Sequence, residues 1–254
     1  MGLATAQKLA GSGQNIIIVH RDRRSAMKRI EPEFDKIRDT GVKFIAINQN
    51  ALSDDGRQSI LCDIADQIGS SQIDTVLHSI ALGNLRRAAP TKEQFKDQDN
   101  SQYQLLGSED FSQTIAYMGF NLLLWVQDLF GRNMLHDDCR VIGLTSEGNT
   151  KAWDGYAAVS AAKCTLESIS RTIAKEFGPH GIKCNIIQAG ITDTPALRLI
   201  PGHEAMVDSA VARNPLGRLT TPEDVANAVF LLTRPEASWI NGALLHVDGG
   251  EHIS

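Results

Sequence analysis

The chain has 254 residues, of which 42% are hydrophobic, and a net charge of −5. This length and composition suit one domain with a substantial core. Without a basic run the chain is not expected to bind nucleic acid, and apolar stretches such as "FNLLLWV" are too short to cross a bilayer. No signal-peptide pattern opens the chain, and we expect a cytoplasmic protein. The scattered cysteines are expected to be reduced and mostly buried: Cys62, Cys139, Cys164 and Cys184.

Strand-like apolar runs alternate with helical patterns. Strands are predicted over residues 15–20, 42–48, 73–79, 139–146, 182–190 and 243–250, and helices over 3–11, 25–39 and 54–68, around 154–168, and from an N-cap at Thr221 onward. Ile- and Val-rich runs without polar alternation are typical of parallel strands buried on both faces. The pattern predicts the α/β class, with a doubly wound, Rossmann-like parallel sheet in a single domain spanning residues 1–254.

Two segments interrupt this alternation, and both follow a strand. Residues 90–112 are polar, and residues 194–216 carry apolar residues at helical spacing between prolines. Ligands of open α/β sheets bind at the carboxyl ends of the strands, so both segments are predicted to lie on the substrate side. Ordinary surface loops are the alternative. For the second segment we favour a lid, because Leu197, Ile200, Met206 and Val207 are expected to be exposed otherwise.

A tyrosine and a lysine stand seven positions apart in "DGYAAVSAAKCTLES", with mostly small side chains between them. On a helix this spacing places Tyr156 and Lys163 on one face, about 10 Å apart along the axis. The small residues between them allow a backbone or a flat cofactor to approach. An ammonium near a phenol favours the phenolate, which makes the hydroxyl a better proton donor. A surface pair without function is the alternative interpretation.

The stretch resembles the active-site helix of the short-chain dehydrogenase/reductase family, and the resemblance runs from Gly2 to Gly250. The usual family tyrosine lies four residues before the lysine, where this chain has Val159. The longer spacing, together with "HSIALG" at residues 78–83, is similar to the enoyl-acyl carrier protein reductase branch. Ser146 matches the catalytic serine of the ketone-reducing members and of some enoyl reductases. The resemblance therefore implies Tyr156, Lys163 and Ser146 as catalytic residues.

The remaining family positions are less regular. The usual catalytic asparagine is replaced by Met118, with Asn121 one turn later. His78 is interpreted as a packing residue, and the other histidines show no metal-like spacing, so no metal site is predicted. The family's first strand and its earlier glycines have no counterpart, which leaves a gap in the middle of the predicted sheet. We favour a sequence that starts at an internal methionine over a protein that lacks the strand.

The resemblance also implies a dinucleotide site. Gly2 corresponds to the last glycine of the family motif, and the helix that follows faces the pyrophosphate. An acid closing the second family strand specifies NAD, whereas arginine accepts a 2′-phosphate. Here His20 closes that strand, Arg21 follows, and Asp22 lies past the critical position. We expect NADP(H) rather than NAD(H), with Arg21 as the chief contact.

Further cofactor contacts are implied by position alone. The adenine is expected beside Asn50 and Ala51, the nicotinamide ribose beside Ser79, Ile80, Ala81 and Lys163, and the carboxamide and phosphates beside Ile191, Thr192 and Thr194.

The expected reaction is NADPH-dependent reduction of the 2,3 double bond of an enoyl thioester. Tyr156 is expected to donate to the thioester oxygen as charge develops there. The substrate is carried by acyl carrier protein or coenzyme A, its acyl chain contacts Leu197, Ile200 and Met206, and the family implies a homotetramer. One alternative is a 3-ketoacyl or other carbonyl/alcohol oxidoreductase, supported by Ser146. Another is a catalytically silent nucleotide-sensing or scaffold member.

Overall fold

The predicted alternation of strands and helices is present in the computed structural model, which describes residues 1–96, 104–200 and 202–254. The strands are β1 (Ile16–His20), β2 (Phe44–Asn48), β3 (Ile73–His78), β4 (Leu135–Ser146), β5 (Lys183–Ala189) and β6 (Leu244–Val247). The helices are α1 (Gly2–Gly11), α2 (Arg24–Arg38), α3 (Asp54–Ile68), α4 (Lys92–Lys96), α5 (Ser108–Ile115), α6 (Asn121–Gly131), α7 (Ala157–Glu176), α8 (His203–Arg213) and α9 (Pro222–Leu232). A π-helical turn, Ala116–Phe120, joins α5 to α6.

All strand pairs are parallel, and the sheet has two parts. One part pairs β1 with β2, and the other has the order β3-β4-β5-β6. Within residues 1–96, 104–200 and 202–254, no hydrogen-bonded ladder joins β1 to β3. The expected gap in the middle of the sheet is therefore confirmed, together with the doubly wound α/β fold.

The core lies on both faces of the central strands. Val141 of β4 packs with α3, α6 and α7 on one face, whereas Ile142 and Leu144 of β4 pack with α9 on the other. The expectation of strands buried on both faces holds for β4 and β5, while β1, β2 and β6 are partly exposed. Because every strand runs the same way, β3, β4, β5 and β6 end at one edge, immediately before the predicted site residues.

Helix α9 begins as predicted. Thr221 Oγ1 accepts a hydrogen bond from the Asp224 N–H at 3.2 Å, and the Thr221 N–H donates to the Asp224 carboxylate at 2.8 Å. This reciprocal pair satisfies two N–H groups that a helix start otherwise leaves free. Among the described residues, no helix is both long enough and apolar enough to traverse a bilayer.

The two interrupting segments contain short helices. Residues 90–112 include α4 and the start of α5, and residues 97–103 of that prediction lie outside the described part of the chain. Residues 194–216 contain α8 and a 3-10 turn, Leu197–Leu199. The expected exposure of the lid residues is wrong: Leu197 and Met206 are buried with Ile191, and Ile200 and Val207 are partly buried against them. The apolar side chains of residues 194–216 therefore cover one another, and their burial does not require a bound ligand.

The cysteine prediction is half correct. Cys139 and Cys184 are buried, whereas Cys62 and Cys164 are exposed, and all are free thiols. Cys139 and Cys184 lie on the central strands β4 and β5, and the two exposed cysteines lie on the outer sides of α3 and α7.

Candidate active site

Ser146 and Tyr156 meet at the carboxyl edge of the sheet. Ser146 ends β4, Tyr156 immediately precedes α7, and their hydroxyl oxygens lie 3.0 Å apart. Gly148 makes room for the phenol, because a Cβ at that position would lie 2.3 Å from Tyr156 Cε1. The loop between β4 and α7 thus sets the ring position, and the strand end supplies the hydroxyl that contacts it.

The protonation of Tyr156 differs from expectation. Burial raises the pKa of the Tyr156 phenol, and the hydrogen bond with Ser146 opposes this only in part. The Lys163 ammonium instead donates to the backbone oxygen of Leu144 at 2.8 Å. The expectation that Lys163 acidifies Tyr156 is therefore wrong for this arrangement, and Tyr156 is a neutral hydrogen-bond donor.

Lys163 is 7% exposed on α7. Burial lowers its pKa to about 8, and the carboxylate of Glu167 opposes that shift. The small residues that precede it partly serve packing: Ala158 and Ala162 are fully buried, and a Cβ on Gly119 of the π-helical turn would lie 3.1 Å from the Ala162 carbonyl oxygen. The small side chains before Lys163 therefore allow another part of the same chain, the backbone at Gly119, to approach α7 closely.

Val159, at the position of the usual family tyrosine, is 4% exposed and packs with Met118. A Cβ on Gly83 would lie 2.7 Å from Val159, so the position is closely packed. Tyr117 packs in the same apolar cluster as Tyr156, a neighbour that sequence reasoning did not identify because its position depends on the π-helical turn.

His78 and Asn121 lie beside Lys163 in the interior. His78 is 5% exposed, and within residues 1–96, 104–200 and 202–254 neither of its ring nitrogens has a hydrogen-bonding partner, nor does Asn121 Oδ1. Burial, with the positive charge of Lys163, lowers the pKa of His78 to about 3, so its ring is neutral. His78 was expected to be a packing residue, and it is buried. Its two ring nitrogens are, in addition, buried polar atoms without a hydrogen bond, which is uncommon in a protein interior.

Several expected cofactor residues lie just after the carboxyl ends of β1, β2 and β3, on either side of the gap in the sheet. A Cβ on Gly2 would lie 3.1 Å from the side chain of Ser79, so the start of α1 and the end of β3 approach closely. Arg21 donates to Asn50 Oδ1 at 3.4 Å. The carboxylate of Asp22 lies 2.9 Å from His20 Nδ1.

Other predicted cofactor positions are exposed or partly engaged. Ser79 and Ala81 are exposed and Ile80 is partly buried after β3. The backbone oxygen of Ala51 accepts from the indole N–H of Trp125 at 3.1 Å.

The segment after β5 is already internally bonded. The Ile191 N–H donates to the buried carboxylate of Glu251 at 3.1 Å, Thr192 Oγ1 donates to the Gly190 oxygen at 2.9 Å, and Thr194 Oγ1 accepts from the Leu197 N–H at 3.2 Å. The Ile191 N–H is therefore engaged within the protein and is not free for a carboxamide in this arrangement.

An ion-pair cluster joins α8 to the active-site loop. Arg213, the last residue of α8, donates from Nη2 to Glu147 Oε1 and to Glu251 Oε1, each at 2.9 Å. Glu147 directly follows Ser146, and Glu251 is 1% exposed, with burial raising its pKa. Sequence reasoning missed this cluster because its three residues lie far apart in the chain and no local pattern marks them.

Replacing Arg213 by methionine is expected to lower the free energy of unfolding by about 2 kcal/mol, because it leaves the buried Glu251 carboxylate without its cation. The matched control is Arg198→Met. Arg198 pairs with Asp193 through two hydrogen bonds, but both side chains are more than half exposed, so the substitution should leave the free energy of unfolding nearly unchanged. Thermal unfolding of both variants measures the difference, and equal melting temperatures would contradict it.

Comparison with known proteins agrees with this geometry. The family model described as Enoyl-(Acyl carrier protein) reductase matches residues 1–252. The chain is 25% identical over 250 residues to the enoyl-(acyl-carrier-protein) reductase (NADH) FabI of Bacillus cereus, covering 98% of this chain and 90% of that protein. It is 26% identical over 273 residues to the short-chain reductase protein NovJ of Streptomyces niveus, covering 98% and 89%.

A solved structure shares the fold. The Bacillus cereus enoyl-acyl carrier protein reductase with NADP+ and indole naphthyridinone superposes with a TM-score of 0.83 at 22% identity, covering 99% of this chain and 91% of that chain. Since the family model spans nearly all of the sequence, this chain belongs to the enoyl-(acyl carrier protein) reductase family, an oxidoreductase family within the short-chain dehydrogenases/reductases.

Proposed function

We propose that this protein reduces the 2,3 double bond of an enoyl thioester with NADPH. The observation that carries the proposal is the placement of the phenol. Tyr156 lies at the carboxyl edge with its hydroxyl 3.0 Å from Ser146, while Val159, at the usual ketone-reducer position, is buried in the core. A phenol moved one turn along the helix suits a reaction in which hydride enters two atoms from the carbonyl oxygen.

The chain's own residues handle the charge that this reaction develops. The reduced nicotinamide dinucleotide, when bound, supplies the hydride. Tyr156, kept protonated by burial, donates a hydrogen bond to the thioester oxygen as negative charge collects there. Ser146 shares a hydrogen bond with the phenol and orients it. Lys163 holds the hydroxyls of the nicotinamide ribose.

The residues present fit a dinucleotide. Gly2, at the start of α1, lies directly against the side chain of the exposed Ser79. The N-terminus of a helix is a place where a phosphate group binds, and Ser79 adds a hydroxyl beside it. Arg21 is exposed and next to Asn50, which suits a 2′-phosphate and an adenine. The Asp22 carboxylate is turned toward His20, with which one of its oxygens makes a hydrogen bond of 2.9 Å. These contacts support NADP(H) over NAD(H).

The substrate proposal rests on α8 and the turn before it. The apolar cluster of Leu197, Ile200 and Met206 with Ile191 adjoins the carboxyl edge, and its partly buried members form a wall for an acyl chain. Acyl carrier protein or coenzyme A carries the thioester. We further propose that the protein works in the cytoplasm as a homotetramer.

Reduction of a 3-ketoacyl thioester or another carbonyl is the second candidate. The Ser146–Tyr156 hydrogen bond favours it, because a serine and a tyrosine that share a proton can polarise a ketone. A catalytically silent member remains a third outcome of the same test.

The test follows the oxidation of reduced dinucleotide by the purified chain with crotonyl- and acetoacetyl-coenzyme A, each with NADPH and with NADH. We expect crotonyl-coenzyme A with NADPH to turn over fastest. Faster turnover of acetoacetyl-coenzyme A would assign the ketone reductase instead, and a preference for NADH would refute the role of Arg21. Oxidation with neither thioester would support the silent member. Reactions with the Tyr156→Phe variant provide the background rate.

A further inference from the structure

Three potential metal ligands lie together at the end of β6 and in the turn that follows it. The ligand atoms of His246, Asp248 and His252 are all within 4.8 Å of one another. His246 and His252 are exposed, and Asp248 is 5% exposed. The proposed reduction uses none of these residues.

The local sequence brings the three side chains together. Residues two apart at a strand end project to the same face, which places His246 and Asp248 side by side. Gly249 and Gly250 then adopt left-handed conformations, with φ of 63° and 88°. The 3-10 turn Glu251–Ile253 returns the chain, so that the His252 ring stacks on His246 with centroids 3.7 Å apart and an interplanar angle of 8°.

Asp248 is held in place before any ion binds. Its Oδ1 accepts from the Gly250 N–H at 3.0 Å, and its Oδ2 accepts from the His252 N–H at 3.1 Å and lies 2.6 Å from His252 Nδ1. Asn214 donates to the Asp248 backbone oxygen at 2.8 Å. The carboxylate is thus fixed and holds the His252 ring, on which the exposed His246 ring stacks.

We propose that His246, Asp248 and His252 bind a divalent transition-metal ion, with zinc as the best match. Two imidazoles and one carboxylate form a donor set that suits zinc and neighbouring metals such as cobalt, and excludes magnesium as the preferred ion. Ligand atoms around tetrahedral zinc lie about 3.4 Å apart at bonds of about 2.1 Å. The present separations therefore require a small closure, in which the two rings unstack and His252 exchanges its hydrogen bond to Asp248 for a bond to the ion.

Three protein ligands leave at least one coordination position for water or another molecule. A cavity of about 520 Å³ adjoins the three residues and is also lined by Arg218, Thr220 and Asn227. Binding would also fix the turn that carries Glu251, whose carboxylate holds the Ile191 N–H and Arg213. The ion would therefore stabilise the fold next to α8.

The experiment uses the untagged full chain, stripped with a chelator and titrated with Co²⁺ and then with Zn²⁺. We expect one Co²⁺ per chain with a visible d–d absorption band, displacement of that band by Zn²⁺, and a higher melting temperature with Zn²⁺ bound. His246→Gln and His252→Gln should each weaken binding roughly tenfold or more, since loss of an outer-shell partner alone costs that much.

His180→Gln is the matched control, because His180 is exposed and contacts the Phe130 ring. It should bind Co²⁺ as the unsubstituted chain does. Equal affinity in the His246→Gln, His252→Gln and His180→Gln variants would overturn the site, and so would the absence of saturable Co²⁺ binding. Because His246 and His252 are both at the surface, unchanged melting temperatures without metal would show that their variants are folded.

Discussion

The Tyr156→Phe variant is expected to reduce crotonyl-coenzyme A with a kcat about 100- to 10,000-fold lower than that of the unsubstituted chain. Phenylalanine keeps the ring that fits against Gly148 but removes the hydroxyl that faces Ser146. A hydrogen bond that becomes strong only as the oxyanion forms stabilises the transition state and does not tighten binding of the substrate in its ground state. We therefore expect kcat and kcat/KM to fall by the same factor, measured by steady-state kinetics with NADPH.

Two further variants separate the phenol's role from its position. Ser146→Ala keeps the phenol and removes one hydrogen bond to it, so an enoyl reductase should lose far less rate than with Tyr156→Phe. A loss as large as that of Tyr156→Phe would instead indicate that Ser146 contacts the reacting carbonyl. Gly148→Ala places a methyl group 2.3 Å from Tyr156 Cε1 and should lower kcat by moving the ring. An unchanged kcat in Tyr156→Phe would remove this residue from the mechanism.

The sequence could predict those parts of the fold that depend on a short stretch of neighbouring residues, such as an apolar run or a helix N-cap. The Ile- and Val-rich runs of β4 and β5 identified strands buried on both faces, and Thr221 with Asp224 identified the start of α9. Even the gap in the sheet could be predicted, because the strand that would fill it has no counterpart among the patterns. β4 begins earlier than predicted because its first residues, with two aspartates, lack the apolar run.

Side-chain environments were harder to predict than elements. The spacing of Tyr156 and Lys163 suggested a mutually perturbing pair, yet the Lys163 ammonium is bonded to a strand carbonyl and burial controls both pKa values. Apolar spacing in residues 194–216 indicated a lid but could not show that Leu197 and Met206 cover each other. The spacing of apolar residues shows which face of a helix is apolar, but it does not show whether that face packs on the same chain or on a ligand.

Groups assembled from distant segments had no signal in the sequence. Glu147, Arg213 and Glu251 meet only because β4, α8 and the chain after β6 end at the same edge of the sheet. His246 and His252 are close in sequence, but their spacing acquires meaning only through the turn at Gly249 and Gly250. Both clusters lie at the edge where the parallel strands end, and the first of them includes Glu147, which directly follows Ser146.

Replacing Lys163 by methionine is expected to stabilise the fold and to impair function. The buried ammonium has a pKa of about 8 in the folded chain against its ordinary 10.5, chiefly because of burial, with Glu167 and the neutral His78 as its polar neighbours. Keeping it charged below pH 8 costs roughly 3 kcal/mol, part of which its hydrogen bond to Leu144 offsets. Methionine removes this cost, so we expect a net gain of about 1 to 2 kcal/mol near neutral pH. Calorimetric binding of NADPH should weaken at least about tenfold if Lys163 holds the ribose.

The pH dependence identifies the cause of that gain. Between pH 8 and 10.5 the folded chain releases the Lys163 proton while the unfolded chain keeps it, so the stability of the unsubstituted protein rises with pH relative to the variant. The difference in melting temperature between Lys163→Met and the unsubstituted chain should therefore be largest at neutral pH and shrink above pH 8. Lys175→Met, on the exposed side of α7, is the matched control and should show no such change. A Lys163→Met variant less stable than the unsubstituted chain at every pH would show that the ammonium's own contacts outweigh its burial, and that the fold does not sacrifice stability to hold this charge.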